Sequence, residues 1–153
     1  MPAEVTAADI NDLEALMTLE YRCFARRVAF SRRQWRYLLR SPRASVAVIR
    51  HGDYIAGVAV LLLRQTQRGA LGRFYTLAVD PRYRGKGMAR TLLTHFIQFL
   101  KNEKAYKVSL EVEVDNAPAI GLYESIGFKR LARLKDYYAP GQDGLKMELA
   151  LAG

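Results

Sequence analysis

The sequence is short of the residues that build covalent or metal-held frameworks. It has one cysteine, Cys23, and two histidines, His51 and His95, far apart in the chain. That excludes a disulfide scaffold, and the spacing matches no metal motif, so no metal is expected. Long apolar runs are missing too. The longest, Val58 to Leu63, has the length of a strand and not of a membrane span. With 5 Pro, 11 Gly, half the residues hydrophobic and a quarter charged, neither a collagen-like repeat nor a disordered chain fits. A basic-then-apolar leader is absent; Glu4, Asp9 and Asp12 stand near the start instead, and the expectation is a soluble cytoplasmic protein. The 153 residues suit one domain, 1–153, with a sizeable core.

Carboxylates are scarce: 15 acidic residues face 24 basic ones, for a net charge of +9. Such a chain attracts phosphates, nucleic acid or acidic proteins. The excess is concentrated. Arg22 to Arg43 contains eight arginines (22, 26, 27, 32, 33, 36, 40 and 43) and no carboxylate. A second group is Arg82, Arg84, Lys86 and Arg90.

Hydrophobic periodicity gives the element order β-α-α-β-β-β-α-β-α-β-β, a mixed α/β domain. The pattern places a first helix from Thr6, with Val5 and Ile10 as a staple and Ile10, Leu13, Leu16, Met17 and Leu19 as its apolar stripe. A second helix starts at Ser31, where Ser31 with Gln34 spells a capping box and Phe30 with Trp35 a staple; Pro42 stops it. Strands follow over 45–50, 54–65 and 73–79, with Gly69 and Gly72 read as a turn. Met88, Leu92, Phe96 and Leu100 mark a helix. Over 107–114, Val108, Leu110, Val112 and Val114 alternate with Ser109, Glu111 and Glu113. A short helix from Asn116 closes at Gly127, and strands over 128–137 and 145–151 flank a Pro-Gly loop.

Leu77 to Ala89 reads strand, basic glycine turn, helix start. The first N–H groups of a helix lack partners, the helix dipole adds positive charge there, and glycine allows close backbone approach. Arg84, Lys86 and Arg90 add cations, and a pyrophosphate suits such a site. A solvated basic turn fits the same residues. The segment is neither a Walker A loop nor a G-x-G-x-x-G fingerprint.

Arg84-x-x-Gly87-x-Ala89 resembles the Q/R-x-x-G-x-G/A motif of the GNAT N-acetyltransferase superfamily. The stretch Leu110 to Phe128 is similar to the L-E-V-x-x-x-N-x-x-A-I-x-L-Y-E-x-x-G-F run of the RimI-like, ribosomal-protein-alanine N-acetyltransferase branch. The resemblance covers roughly residues 70–150. It implies a GNAT-like α/β fold: a mixed, mostly antiparallel central sheet with flanking helices and a V-shaped splay between the strands at 73–79 and 107–114. It implies acetyl-CoA as co-substrate, its pyrophosphate on Arg84, Gly85, Lys86, Gly87, Met88, Ala89 and Arg90. The pantetheine arm would then follow the backbone of Leu77, Ala78 and Val79, with Asn116 and Tyr123 as further contacts.

Acetyl transfer to an amine needs the amine neutral. An α-amine with a pKa of about 8 is roughly a tenth neutral at pH 7, a lysine amine far less. A base is therefore useful, and the leaving thiolate needs a proton. The resemblance gives the base to Glu111 and the acid to Tyr123. By residue type alone Glu111 is equally a solvated strand carboxylate, Glu113 competes with it on the same face, and Tyr123 fits a helix core position in step with Ala119 and Ile126. Asn116 also suits a helix N-cap.

By the resemblance, Tyr137 and Tyr138 stand where related α-amine acetyltransferases carry a tyrosine pair that grips the acceptor peptide; two half-buried strand aromatics fit the same residues. The loop from Ala25 to Phe30 would form the other wall, which places Phe30 in the acceptor site. Here the sequence departs from the branch: Arg26 and Arg27 occupy the loop, no Pro-Trp pair follows Phe24, and Trp35 falls inside the second helix. The departure counts against the same ribosomal substrate and leaves the α-amine chemistry. A protein N-terminal α-amine is thus the expected acceptor, with a lysine, polyamine or small amine as the alternative. A basic RNA- or ribosome-binding module is the alternative from another class. Arg32, Arg36 and Arg40 share a helix face, which reads first as a solvated face and second as a surface for an anionic partner, ribosomal RNA or an acidic peptide; no aromatic-interleaved surface or DNA-reading motif makes nucleic acid the main ligand. Cys23 reads as buried and inert, and no covalent acetyl-enzyme is expected. Monomer and homodimer both remain open.

Overall fold

The computed structural model describes residues 4–24 and 29–151, so Ala25, Arg26 and Arg27 of the expected acceptor wall lie outside the described residues. The elements are β1 (Val5–Ala7), α1 (Leu13–Cys23), α2 (Arg32–Arg40), β2 (Ala44–His51), β3 (Tyr54–Thr66) and β4 (Gly69–Val79). They continue with α3 (Met88–Asn102), β5 (Lys107–Glu113), α4 (Ala117–Ile126), β6 (Lys129–Ala139) and β7 (Gln142–Ala150). This is the expected order. The strands form a seven-stranded sheet in the order β1-β2-β3-β4-β5-β7-β6. Its pairings are antiparallel at β1–β2, β2–β3, β5–β7 and β6–β7 and parallel at β4–β5. By contacts the chain divides into two compact units, one of Met1–Leu62 with Thr76–Phe99 and one of Leu63–Tyr75 with Leu100–Gly153.

In the first unit the chain start corrects the sequence reading. Thr6 does not open a helix; it is paired with Val48 in the β1–β2 ladder. The cap is Asp9, whose carboxylate accepts from the Asn11 N–H at 2.8 Å while Asp12 reaches back to the Asp9 N–H at 2.9 Å. That reciprocal box opens a short 3-10 turn, Ile10–Asp12, which runs into α1. Ile10 sits in the turn and is exposed, outside the stripe assigned to it. Leu13, Leu16, Met17 and Leu19 do form the buried face, packed in one cluster with Trp35, Leu38, Val48 and Val58. Full burial of such a Leu or Val contributes roughly 1.5–3 kcal/mol. The α2 start is as expected. Ser31 Oγ accepts from the Gln34 N–H at 3.1 Å, Gln34 Oε1 accepts from the Ser31 N–H at 2.7 Å, and the Phe30 and Trp35 rings meet edge to face, 5.4 Å between centroids.

In the second unit β4 begins at Gly69, earlier than expected. Gly72 is not a turn residue: it pairs with Val108, and a methyl group there would lie 2.9 Å from Leu100. Leu71–Phe74 lie parallel to Lys107–Leu110, and β5 runs on to Glu113 with Glu111, Val112 and Glu113 paired to Lys146, Leu145 and Gly144 of β7. Val108, Leu110 and Val112 are buried, as their alternation implies. Asn116 caps α4 through the Ala119 N–H at 3.2 Å, and Gly127 closes it.

Candidate active site

The first unit supplies a backbone-built anion site. Gly85 and Gly87 both have φ near +80°, a region that costs an L-residue about 1–2 kcal/mol and glycine nothing. The Gly87 carbonyl accepts from the Thr91 N–H at 3.0 Å and from its hydroxyl at 2.9 Å, which starts α3. The first-turn N–H groups of Met88, Ala89 and Arg90 stand at the positive end of a fifteen-residue helix. Gly85, Lys86 and Gly87 are exposed, with open space where a Cβ would be. Arg84 folds back, its Nε donating to the Val79 carbonyl at 3.1 Å, and Lys86 lies over the Tyr83 ring at 5.8 Å. The residues Arg84 to Arg90 thus fit a pyrophosphate. Leu77 and Val79 are partly buried and Ala78 buried at the end of β4. The Val79 carbonyl already takes two donors, Arg84 and the Cys23 thiol (3.4 Å), so it is not open to a third.

Directly before the loop, Asp80 is buried yet charged. It pairs with Arg22 at 2.9 Å and Arg82 at 3.0 Å and accepts the Arg82 N–H at 2.9 Å. The Arg82 hydrogen bond, against the opposing effect of burial, holds its carboxyl well below the usual carboxylate range. Asp80 therefore fixes the exit of β4 and is more than a strand end. Cys23 is half-buried, and burial pushes its thiol up, which leaves it a poor nucleophile. Glu20 on α1 is 1% exposed; its Oε2 accepts the Phe30 N–H at 3.0 Å, and burial raises its pKa. Its Oε1 and Trp35 Nε1 have no hydrogen-bond partner among the described residues. Phe30 is thereby held at both ends, by Glu20 through its backbone and by Trp35 through its ring.

The second unit supplies a side-chain-built cluster. Glu111 on β5 is ion-paired with Arg73 on β4, 3.2 Å from Arg73 Nε. Arg73 also donates from Nη2 to the Tyr137 hydroxyl at 3.4 Å. Burial weakens its charge, but the hydrogen bond and charge of Glu111 offset that and raise its pKa. Tyr137 and Tyr138 are half-exposed, their rings at right angles and 5.0 Å apart. Neighbours on a regular strand point to opposite faces. Here the β6–β7 register slips between Leu134 and Ala139, and Asp136 has φ of 53°. The bulge is pinned by Asp143: Oδ1 accepts the Asp136 N–H at 2.9 Å and Oδ2 the Arg133 Nε at 2.7 Å. Gly144 leaves room, since a methyl group there would come 3.1 Å from Tyr137 and 3.2 Å from Tyr138. Burial first, then the negative fields of Tyr137, Glu111, Glu113 and Tyr123, push the Tyr138 phenol above its ordinary range. Glu113, the competitor of Glu111, is exposed at the end of β5.

Tyr123 is 8% exposed and packs against Phe128, 6.0 Å between ring centroids. Burial pushes its phenol up to about 12. It therefore keeps its proton across the physiological range and can act as a hydrogen-bond donor. Asn116 is exposed, and its side-chain oxygen is committed to the helix cap. Among the described residues the structure thus brings Glu111, Tyr137 and Tyr138 together, places Tyr123 within electrostatic reach of Tyr138, and keeps Phe30 and residues 77–90 in the first unit. Sequence reasoning missed Arg73, Glu20, Asp143 and Gly144. A charged residue opening an otherwise apolar strand was a signal for Arg73, and a glutamate on the apolar stripe of α1 was one for Glu20.

Known proteins give an independent view. The model of the acetyltransferase (GNAT) family matches residues 10–128. An N-alpha-acetyltransferase of Saccharolobus solfataricus is 46% identical over 77 residues, half of this chain and 46% of that protein, so the chain spans about half that relative's length. N-alpha-acetyltransferase 30 of Schizosaccharomyces pombe is 34% identical over 120 residues, 76% of this chain and 79% of that one. The crystal structure of the ribosomal-protein-S18-alanine N-acetyltransferase from Escherichia coli superposes with a TM-score of 0.85 at 27% identity, covering 99% of this chain and 97% of that one.

Proposed function

The chain belongs to the acetyltransferase (GNAT) family, as an acetyl-CoA-dependent N-acetyltransferase of the RimI-like branch, and from that premise we propose that its acceptor is a protein N-terminal α-amine. The observation that carries the acceptor is the cluster in the second unit. A carboxylate held by Arg73 beside an edge-to-face tyrosine pair suits an amine presented by a peptide backbone. Glu111 takes the proton of the incoming ammonium, directly or through water. Its ion pair and partial burial favour it over Glu113. Tyr137 and Tyr138 offer hydroxyls and ring faces to the peptide. Backbone N–H groups of residues 85–90 bind the pyrophosphate, with Arg84, Lys86 and Arg90 as the cationic surround. Leu77, Ala78 and Val79 guide the pantetheine arm, Val79 by groups other than its occupied carbonyl.

Tyr123 hydrogen-bonds the leaving sulfur. With its pKa at about 12 against about 8.5 for a free thiol, full proton transfer from the phenol is uphill. Its part is to stabilise the developing thiolate, which takes up the second proton that the attacking nitrogen sheds. The whole chain works as one cytoplasmic acetyltransferase domain. Among the described residues no helix is long and apolar enough to cross a membrane.

Mass spectrometry on paired peptides tests the acceptor. One peptide has a free N-terminus and no lysine; the other has a blocked N-terminus and one lysine. Product on the first alone is expected. Product on the second alone reassigns the acceptor to a lysine amine, and failure of both, with acetyl-CoA still raising the melting temperature, reassigns it to a small amine.

A further inference from the structure

Among the described residues seven arginines, Arg22, Arg32, Arg50, Arg73, Arg82, Arg130 and Arg133, pair with a carboxylate; Arg32 pairs with Glu14. Four others stand together. Arg33, Arg36, Arg40 and Arg43 line one groove of about 510 Å³ together with Tyr37, Ser41 and Pro42. None of these four has a carboxylate partner among the described residues, and all four are exposed. The set differs from the 32/36/40 face read from the sequence, because Glu14 withdraws Arg32.

Helical spacing explains the grouping. Residues 33, 36, 37 and 40 fall at i, i+3, i+4 and i+7, which share a face. Arg43 joins them just past the end of α2. Like charges at 36 and 40 weaken the helix, so the arrangement works against local stability and no internal anion relieves it. In the middle stands Tyr37, 69% exposed, the most exposed large hydrophobic residue described. An aromatic that open, among four guanidinium groups with no carboxylate partner among the described residues, is an interleaved pattern that periodicity alone does not reveal. From Arg33 to Arg40 the helix rises about 10 Å, enough to meet more than one phosphate of a single strand.

We propose that this groove is a docking surface for single-stranded RNA, outside the acetyl-transfer machinery. The guanidinium groups neutralise consecutive phosphates, and the Tyr37 ring stacks on an unpaired base. An acidic peptide would satisfy the charges but leave the exposed ring without a flat partner. Such a surface would tether the enzyme to an RNA-rich source of new protein N-termini, which rests on the α-amine reading; the docking itself does not.

The test is binding of a fluorescein-labelled 20-nucleotide oligouridylate, by anisotropy, over a series of salt concentrations. The quadruple variant Arg33→Gln, Arg36→Gln, Arg40→Gln, Arg43→Gln is compared with a charge-matched control, Arg64→Gln, Lys101→Gln, Lys104→Gln, Lys129→Gln. Loss of four phosphate contacts lowers the slope of log affinity against log salt by about 3, and the control changes it by less than 1. Tyr37→Ala weakens binding about tenfold with the slope kept. Acetylation of a short peptide is unchanged in all three variants, and this readout also reports folding. Equal RNA binding by the two quadruple variants overturns the proposal. So does tighter binding of wild type to a 20-residue polyglutamate or to phosphatidylserine vesicles, which makes the occupant a protein or a membrane. A tenfold loss of peptide acetylation in the first quadruple variant overturns it as well, since the arginines then belong to the acceptor site. If wild type acetylates no peptide but binds RNA as described, the α-amine reading fails and the docking stands.

Discussion

In the proposed function, residues 84–90 and the group Arg73, Glu111, Tyr137 and Tyr138 hold their ligands with different materials. The loop works through backbone: two glycines at positive φ, the first turn of α3, and cations placed around it. Its geometry is local, confined to seven consecutive residues. The cluster works through side chains from β4, β5 and β6, brought together by strand register and a bulge. Backbone N–H groups cannot be removed by mutation, and they grip any pyrophosphate. Side chains can be tuned to one amine. The difference teaches where donor binding, shared across a family, and acceptor choice, particular to one protein, can each be encoded.

The comparison makes unequal demands on substitution. The largest effect is expected at Glu111. Glu111→Gln keeps shape and loses the proton acceptor, so turnover falls about 100-fold or more while the KM for acetyl-CoA is unchanged. Steady-state kinetics with both substrates varied decides this. A raised KM for the peptide with turnover kept would move Glu111 from chemistry to binding.

Next comes Tyr123, through stability. Its folded pKa of about 12 lies above the unfolded value of about 10, so the unfolded chain loses the proton first as pH rises. The contribution is fully present below pH 10 and is lost between 10 and 12, by about 1.4 kcal/mol per pH unit. Urea melts from pH 9 to 11.5 should show that slope, reduced by about one proton in Tyr123→Phe. An unchanged slope would mean the phenol is not buried.

A smaller effect is expected in the loop. A Cβ at Gly87 meets no neighbour, so Gly87→Val acts only through the positive φ. At about 1–2 kcal/mol, acetyl-CoA binding weakens about tenfold, with turnover recovered at saturation. Calorimetry on the variant checks the affinity. Smallest is Asp143→Asn, which loosens the bulge under the tyrosine pair. The KM for peptide rises about threefold, and the KM for acetyl-CoA stays fixed. If the acetyl-CoA constant moves instead, the bulge serves the donor.

The same contrast explains what could be read from the chain alone. Gly85, Gly87, the Ser31–Gln34 box and the Asn116 cap are sequence-local devices, and each stands where its spacing put it. The tyrosine pair was visible as a pair, but its presentation was not, because the bulge depends on Asp143 across the hairpin. Arg73 is 38 residues from Glu111, and no local pattern joins them. Thr6 and Asp9 are both plausible caps, and the β1–β2 ladder, a contact with residues more than 40 positions away, decides between them. The groove on α2 needed knowledge of Glu14, which removes one arginine from the face and leaves its neighbours unpaired.

The division of labour between backbone loop and side-chain cluster is tested most directly by a double-mutant cycle on kcat/KM with Gly87→Val and Glu111→Gln. If one site holds the donor and the other activates the amine, the two losses add, with a coupling energy below about 0.5 kcal/mol. A coupling above about 1 kcal/mol would show that the two regions act on the same step and would contradict the division.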